Sequence, residues 1–207
     1  MRRLLPLCSA TGVVLAMLGT LAGPASAATA TPSASCNPTT TEAFAAFGDT
    51  NDYFLAPGGS FESGTPAWNL SGGAAPAAGN NTAVTDSATN TTSLSLPSGS
   101  SATSPWVCVT ANAPTMRFFA RNTGAATSRL GVSVVFTLPG GYQGSLPVAQ
   151  ITGSKAWAPS LPIFFFANVL ALGSPTGTTE VAFRFRPLDT SGQWRIDDVY
   201  VDPFKHK

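Results

Sequence analysis

Two adjacent carboxylates, Asp197 and Asp198, stand inside "GQWRIDDVYVDP" (192–203), where Trp194, Ile196, Val199 and Val201 otherwise mark a strand. Asp disfavours strands and neighbouring carboxylates repel, so the pair needs a compensating partner. Paired carboxylates can serve as acid and base in glycoside hydrolysis. The acidic residues are Glu42, Asp49, Asp52, Glu62, Asp86, Glu180, Asp189, Asp197, Asp198 and Asp202, and nothing in their spacing singles out such a pair. The one histidine, His206, lies in the terminal "FKHK", so no Ser-His-Asp or Cys-His arrangement can form inside the domain. No His/Cys cluster has zinc-ligand spacing, and "GGSFESGTP" lacks the lysine of a phosphate loop. The residues therefore read as those of a protein that is not an enzyme.

The elements that must position these side chains are strands. "TSLSLP" (92–97) alternates apolar and polar residues. "TMRFFARN" (115–122) sets Met116, Phe118 and Ala120 against Arg117, Phe119 and Arg121. "EVAFRFRP" (180–187) sets Val181, Phe183 and Phe185 against Ala182, Arg184 and Arg186. "RLGVSVVFTL" (129–138) is rich in β-branched residues and runs into the turn "PGGY". Gly, Pro, Asn and Ser clusters separate these runs, the rhythm of an all-β antiparallel sandwich or barrel. "TTEAFAAFGD" (40–49) has the pattern of a short helix capped by Thr40 or Thr41, with Ala43, Phe44 and Phe47 on one face and Gly48 as the stop. "IFFFANVLAL" (163–172) fits either a buried strand or a short helix.

The N-terminus reads as a signal peptide over 1–27: Met1-Arg2-Arg3, an apolar run, then "GPASA" with Ala25 and Ala27 at the small-residue positions. Pro6, Ser9, Thr11 and Gly12 interrupt the run, which argues against a membrane anchor, and Cys8 lies too early for lipidation. Residues 28–35, "ATATPSAS", read as a flexible leader, and 36–204 as a single β-sandwich domain. The implied location is secreted and extracellular. Cleavage leaves a formal charge of −1 on 180 residues, no footprint for nucleic acid or an anionic membrane. Cys36 and Cys108 remain as an even pair, read as one disulfide, with two free thiols as the alternative.

"LAPGGSFESGTPAWNL" (55–70) and the closing "QWRIDDV" together resemble carbohydrate-binding modules of the galactose-binding-like jelly-roll type. The matching residues are Gly59, Phe61, Glu62 and Trp68, then Trp194, Ile196, Asp197, Asp198 and Val199. The resemblance implies an antiparallel jelly-roll β-sandwich with one or two short helices, first and last strands side by side, and Trp68 and Trp194 in the core. It implies a structural calcium near Glu62, Asp197 and Asp198, since calcium takes carboxylate and carbonyl oxygens. Successive side chains alternate along a strand, so only one Asp can face such a site unless the strand is bulged. The alternative is a metal-free network of donors around the buried Asp. The resemblance also implies a glycan or cell-envelope polysaccharide as partner, held by aromatic stacking and polar side chains. Trp106, Tyr142 and Trp157, with Arg117 and Arg121 on a polar sheet surface, are the candidate ligand-binding residues of a monomer. The competing class is an extracellular structural or protein-interaction domain without a glycan site.

Overall fold

The structure, a computed structural model, describes residue 36 and residues 38–203 apart from 64, 66, 84 and 139. The signal and leader segments and His206 lie outside the described residues. In chain order the strands are β1 (Phe54–Leu55), β2 (Asn69–Ser71), β3 (Ala75–Ala78), β4 (Thr92–Leu96), β5 (Ser101–Thr103), β6 (Val107–Thr110) and β7 (Thr115–Asn122). Then follow β8 (Leu130–Thr137), β9 (Gln143–Ile151), β10 (Ala158–Pro159), β11 (Ile163–Phe164), β12 (Thr178–Pro187) and β13 (Trp194–Asp202). They form two antiparallel sheets, the jelly-roll sandwich expected from the sequence. The first runs β10-β7-β13-β4-β3, with β1 also on β13 and β11 also on β7. The second runs β2-β5-β12-β8-β9, with β6 also on β12.

The period-two pattern sends alternate residues into the space between the sheets. Met116 and Phe118 of β7, Leu94 and Leu96 of β4, Phe183 and Phe185 of β12, and Trp194 and Ile196 of β13 are all buried there. Trp68 joins them, its indole N–H donating to the Pro57 carbonyl at 3.1 Å. The Trp194 indole N–H donates to Ser128 Oγ at 2.9 Å, so both rings bury without a stranded donor. Cys36 and Cys108 form the disulfide, Cα atoms 5.0 Å apart, fastening the start of the domain to β6.

First and last strands meet as the resemblance implies. Phe54 pairs with Val201 and Leu55 with Tyr200. Beyond β1 the contact continues through Ala56 N to Val199 O (2.8 Å) and Val199 N to Gly59 O (3.1 Å). A Cβ on Gly59 would lie 2.9 Å from the carbonyls of Ala56 and Val199, so a side chain there would force the two ends apart.

The alternation in β7 does not divide inside from outside. Its outer face is covered by residues 41–55, making a second, smaller core of Phe44, Tyr53, Phe119 and Tyr200. Phe44 lies edge-on to Tyr53 (centroids 4.9 Å) and to Tyr200 (5.5 Å). The 40–49 segment is a single 3-10 turn over Ala45–Phe47 rather than a capped helix. Thr41 is drawn into a bridge with Tyr53, so it cannot cap, and Gly48 ends the turn in the left-handed region as expected. The 161–173 segment divides into β11 and a 3-10 helix over Ala167–Gly173, with one face buried and the other in solvent.

Candidate functional site

The two aspartates do share a side, because β13 is bulged. Its register against β7 shifts between Asp197 and Tyr200, and Asp198 takes φ 46°, a left-handed conformation that Asp tolerates better than most residues. Both carboxylates then reach Asn81. The Asn81 side-chain amide donates to Asp198 Oδ2 at 2.8 Å and to Asp197 Oδ2 at 3.2 Å, and its backbone N–H donates to Asp197 Oδ2 at 2.8 Å. Thr85 Oγ1 donates to Asp198 Oδ2, and the Asp198 N–H returns to Asp197 Oδ1 at 3.0 Å. Both residues are buried. Burial first, then the charge of Asp198, pushes the Asp197 carboxyl up to about 7. Asp198 is raised as well, by burial first; Thr85 and Asn81 oppose the rise, and Asp86 and Glu62 add to it.

Glu62 is not gathered to a common centre with the aspartates. Its carboxylate accepts from the N–H groups of Thr91 (2.8 Å) and Thr92 (2.6 Å), where β4 begins, and from Thr91 Oγ1 (3.3 Å). Among the described residues no group of three or more His, Cys, Asp or Glu stands where it could hold a metal ion. A calcium would find one fitting atom at the junction: Asp198 Oδ1 is buried and accepts no hydrogen bond from the described residues. The other carboxylate oxygens of the pair are met by donors from loop 79–85 and from the strand itself.

Arg117 is not a surface ligand residue. It is 5% exposed and spans the second core. Nη1 meets Asp49 Oδ2 at 2.5 Å, Nε donates to the Ser160 carbonyl at 2.9 Å, and the guanidinium lies 4.1 Å over the Phe44 ring. Tyr53 Oη donates to the same Asp49 oxygen at 2.6 Å. Burial alone would raise Asp49, but Tyr53, the Asn51 N–H and Arg117 outweigh it and hold the carboxyl below its ordinary value. Burial, then Asp49, pushes the Tyr53 phenol well up.

The remaining candidates do not converge on one surface. Tyr142 is 75% exposed at the β8–β9 turn. Trp106 is half-buried before β6. Trp157 is half-buried and stacks on Arg121, ring centroid to guanidinium 5.3 Å. Arg121 belongs to β7 of the first sheet, whereas Arg184 and Arg186 are exposed on β12 of the second, so these three arginines do not share a surface.

A different place has the form of a binding site. Where β9 ends the second sheet and β10 and β11 edge the first, the sandwich opens into a groove of about 600 Å³. Its lining includes Gln150, Thr152 and Ser154 as well as Leu161, Phe164 and Phe166; the Gln150 amide oxygen accepts from Arg129 Nη1 at 3.2 Å, and Ser154 Oγ is bonded to the Ala156 backbone. None of the described side chains lining it is charged. The rings of Phe164 and Phe166 stack at 6.0 Å and are 50% and 61% exposed. Phe166 is held at φ 54°, costly for an aromatic residue, and its neighbours fix it: Phe165 N–H donates to Pro114 O at 3.0 Å and Asn168 Nδ2 to Ala111 O at 2.5 Å. Sequence reasoning missed this pair because "FFF" reads as core. Only its middle ring, Phe165, is buried.

No protein-family model matches the chain, and no curated protein sequence matches it. Solved structures similar to it include carbohydrate-binding modules. A xylan-binding domain of family 22 is 16% identical, with 77% of this chain and 99% of that one covered and a TM-score of 0.49. The C-terminal family 22 module of Clostridium thermocellum Xyn10B is 17% identical over 69% of this chain and 90% of its own, TM-score 0.46. The TmCBM61 module, solved with β-1,4-galactotriose, is 17% identical over 71% and 96%, TM-score 0.39.

Proposed function

We propose that this protein is a secreted, non-catalytic module that binds carbohydrate in the groove between β9 and the β10–β11 edge. The observation that carries the reading is the charge-free lining, which combines the exposed stacked rings of Phe164 and Phe166 with the polar side chains of Gln150, Thr152 and Ser154. A pyranose presents an apolar face of C–H groups and a rim of hydroxyls, and such a lining answers both. Secretion is supported by the 1–27 segment and by a disulfide, which persists in oxidising compartments. Retention on insoluble polysaccharides, with a glycan array beside it, tests the reading. Phe166→Ser should abolish retention and leave the melting midpoint near that of the parent. No retention of the parent on any glycan overturns it.

One observation favours a protein-interaction domain instead. Val169 and Leu172 of the 3-10 helix, outside the groove lining, stand 53% and 77% exposed, and Leu161 of the lining stands 81% exposed, so bare apolar side chains are not confined to the groove. Loss of glycan retention on Phe166→Ser, with retention unchanged on Leu172→Ser, separates the two readings.

The calcium reading narrows to Asp198, whose Oδ1 is the one free carboxylate oxygen of the pair among the described residues, with Asp197 occupied by Asn81. A higher melting midpoint in added calcium than in chelator would support it. Equal midpoints, with no metal in elemental analysis, remove calcium from the account.

A further inference from the structure

The outer face of the first sheet holds a pair of like charges that the fold has no need to oppose. Arg121 of β7 and Arg195 of β13 are directly opposite one another in the antiparallel register. Like charges at such positions destabilise a sheet. Here they are fixed rather than splayed. The Nη2 of Arg195 donates to three successive carbonyls, Ala77 (2.5 Å), Ala78 (2.7 Å) and Gly79 (2.9 Å). The guanidinium of Arg121 is pressed against the Trp157 ring. The Nε groups of both arginines are buried and have no acceptor among the described residues. Burial first, then the charge of Arg121, lowers the Arg195 guanidinium. The charge of Asp197 opposes this lowering, but its carboxylate is hydrogen-bonded to Asn81 and to the Asp198 N–H rather than to either guanidinium.

Lys155 adds a third positive charge two residues before Trp157, its Nζ on the Gly124 carbonyl at 3.1 Å. The 152–158 segment thus divides two surfaces. Thr152, Ser154 and Ala158 line the groove, while Trp157 turns to the arginines on the far side of the same edge.

We propose that Arg121, backed by Arg195 and flanked by Trp157, is a binding subsite for the carboxylate of an acidic saccharide, a uronate. The guanidinium fork matches a carboxylate in geometry, and the indole edge offers an apolar surface for the sugar ring that carries it. An anion there would also relieve the repulsion between the two arginines. The proposal rests on the carbohydrate reading for the sugar backbone, and not for the charge.

The test is calorimetric titration of the full chain with oligogalacturonate and with its methyl ester, the same sugar without the charge. The acid form should bind at least about tenfold tighter, the order expected for a charged hydrogen bond. That advantage should shrink as salt rises from about 50 to about 300 mM. Arg121→Gln should abolish it, and Arg121→Lys, which keeps the charge without the fork, should retain part of it; a melting curve confirms that each variant is folded. Equal affinity for acid and ester, or an unchanged advantage in Arg121→Gln, overturns the subsite while leaving the groove reading intact. If neither form binds, the subsite is overturned, and retention on uncharged polysaccharide judges the groove separately.

Discussion

Asp49 and Asp197 are both partly or wholly buried against the outer side of the first sheet, and their surroundings push them in opposite directions. Asp49 meets a cation and a phenol: Arg117 at 2.5 Å and Tyr53 at 2.6 Å hold its proton off despite burial. Asp197 meets an amide and another acid, and burial with the charge of Asp198 raises it to about 7. A buried carboxylate paired with a guanidinium stays ionised because the pair is jointly neutral. A buried carboxylate given only dipoles, with a second carboxylate beside it, holds its proton to a higher pH. The first arrangement fastens the 41–55 segment to the sheet and has no electrostatic demand left over. The second leaves one, at Asp198 Oδ1.

The largest effect is expected from breaking the satisfied region. Arg117→Met should destabilise the fold by about 1–3 kcal/mol in urea unfolding, since a half-buried Asp49 loses its cation but keeps Tyr53 and the Asn51 N–H as donors. Adding Asp49→Asn should recover much of that loss. A double variant no better than the single would show that Arg117 acts through its stacking on Phe44 rather than through charge.

Removing a charge from the other region should do the reverse. In chelator, Asp198→Asn should leave stability unchanged or raise it by up to about 1 kcal/mol, since repulsion is relieved and Asn also accepts the left-handed conformation. In calcium the same variant should lose whatever rise the parent shows. A strong loss in chelator would mean that the carboxylate network is itself a net source of stability.

The two regions should also separate by pH. Asp49 has a lowered folded value, so its contribution is present above the ordinary carboxylate range and is lost as pH falls through and below it. Asp197 has a raised value, so its contribution is full below about pH 4 and is lost as pH climbs toward about 7. Urea midpoints measured from about pH 3 to about pH 8 should therefore decline between about pH 4 and about pH 7 and level off above it. Asp197→Asn should flatten the decline and leave the acid limb untouched.

The smallest effect is expected far from both. Tyr142→Ala, at a 75% exposed turn residue, should change stability by less than about 0.5 kcal/mol and should not alter glycan retention. A loss of retention would move the binding surface to the β8–β9 turn.

Much of the sandwich is legible in the sequence. The alternation at 92–97, 115–122 and 180–187 names residues that do fill the core, since period two and burial on one face are the same fact for a strand between sheets. The disulfide follows from two cysteines and a compartment. The candidate site was less legible. Alternation cannot report that the outer face of β7 is roofed by residues 41–55, so Arg117 looked solvent-facing and is a core ion pair. Nor can it report that "FFF" turns its outer rings to the groove, because that depends on one left-handed residue held by Pro114 and Ala111.

By itself the sequence determined the strand pattern and the cysteine pair, properties set by residue type and spacing, while the burial of Trp68 and Trp194 and the meeting of first and last strands were what its resemblance to jelly-roll modules implied. Tertiary structure alone decided which charges meet. The bulge at Asp198 brings both carboxylates to Asn81, the turn at 41–55 brings Asp49 to Arg117, and the β7–β13 register sets Arg121 against Arg195. The physical reason is range. Burial of an apolar face is proportional to area and repeats along a strand, whereas a charge is answered at a single point by a group that may lie a hundred residues away.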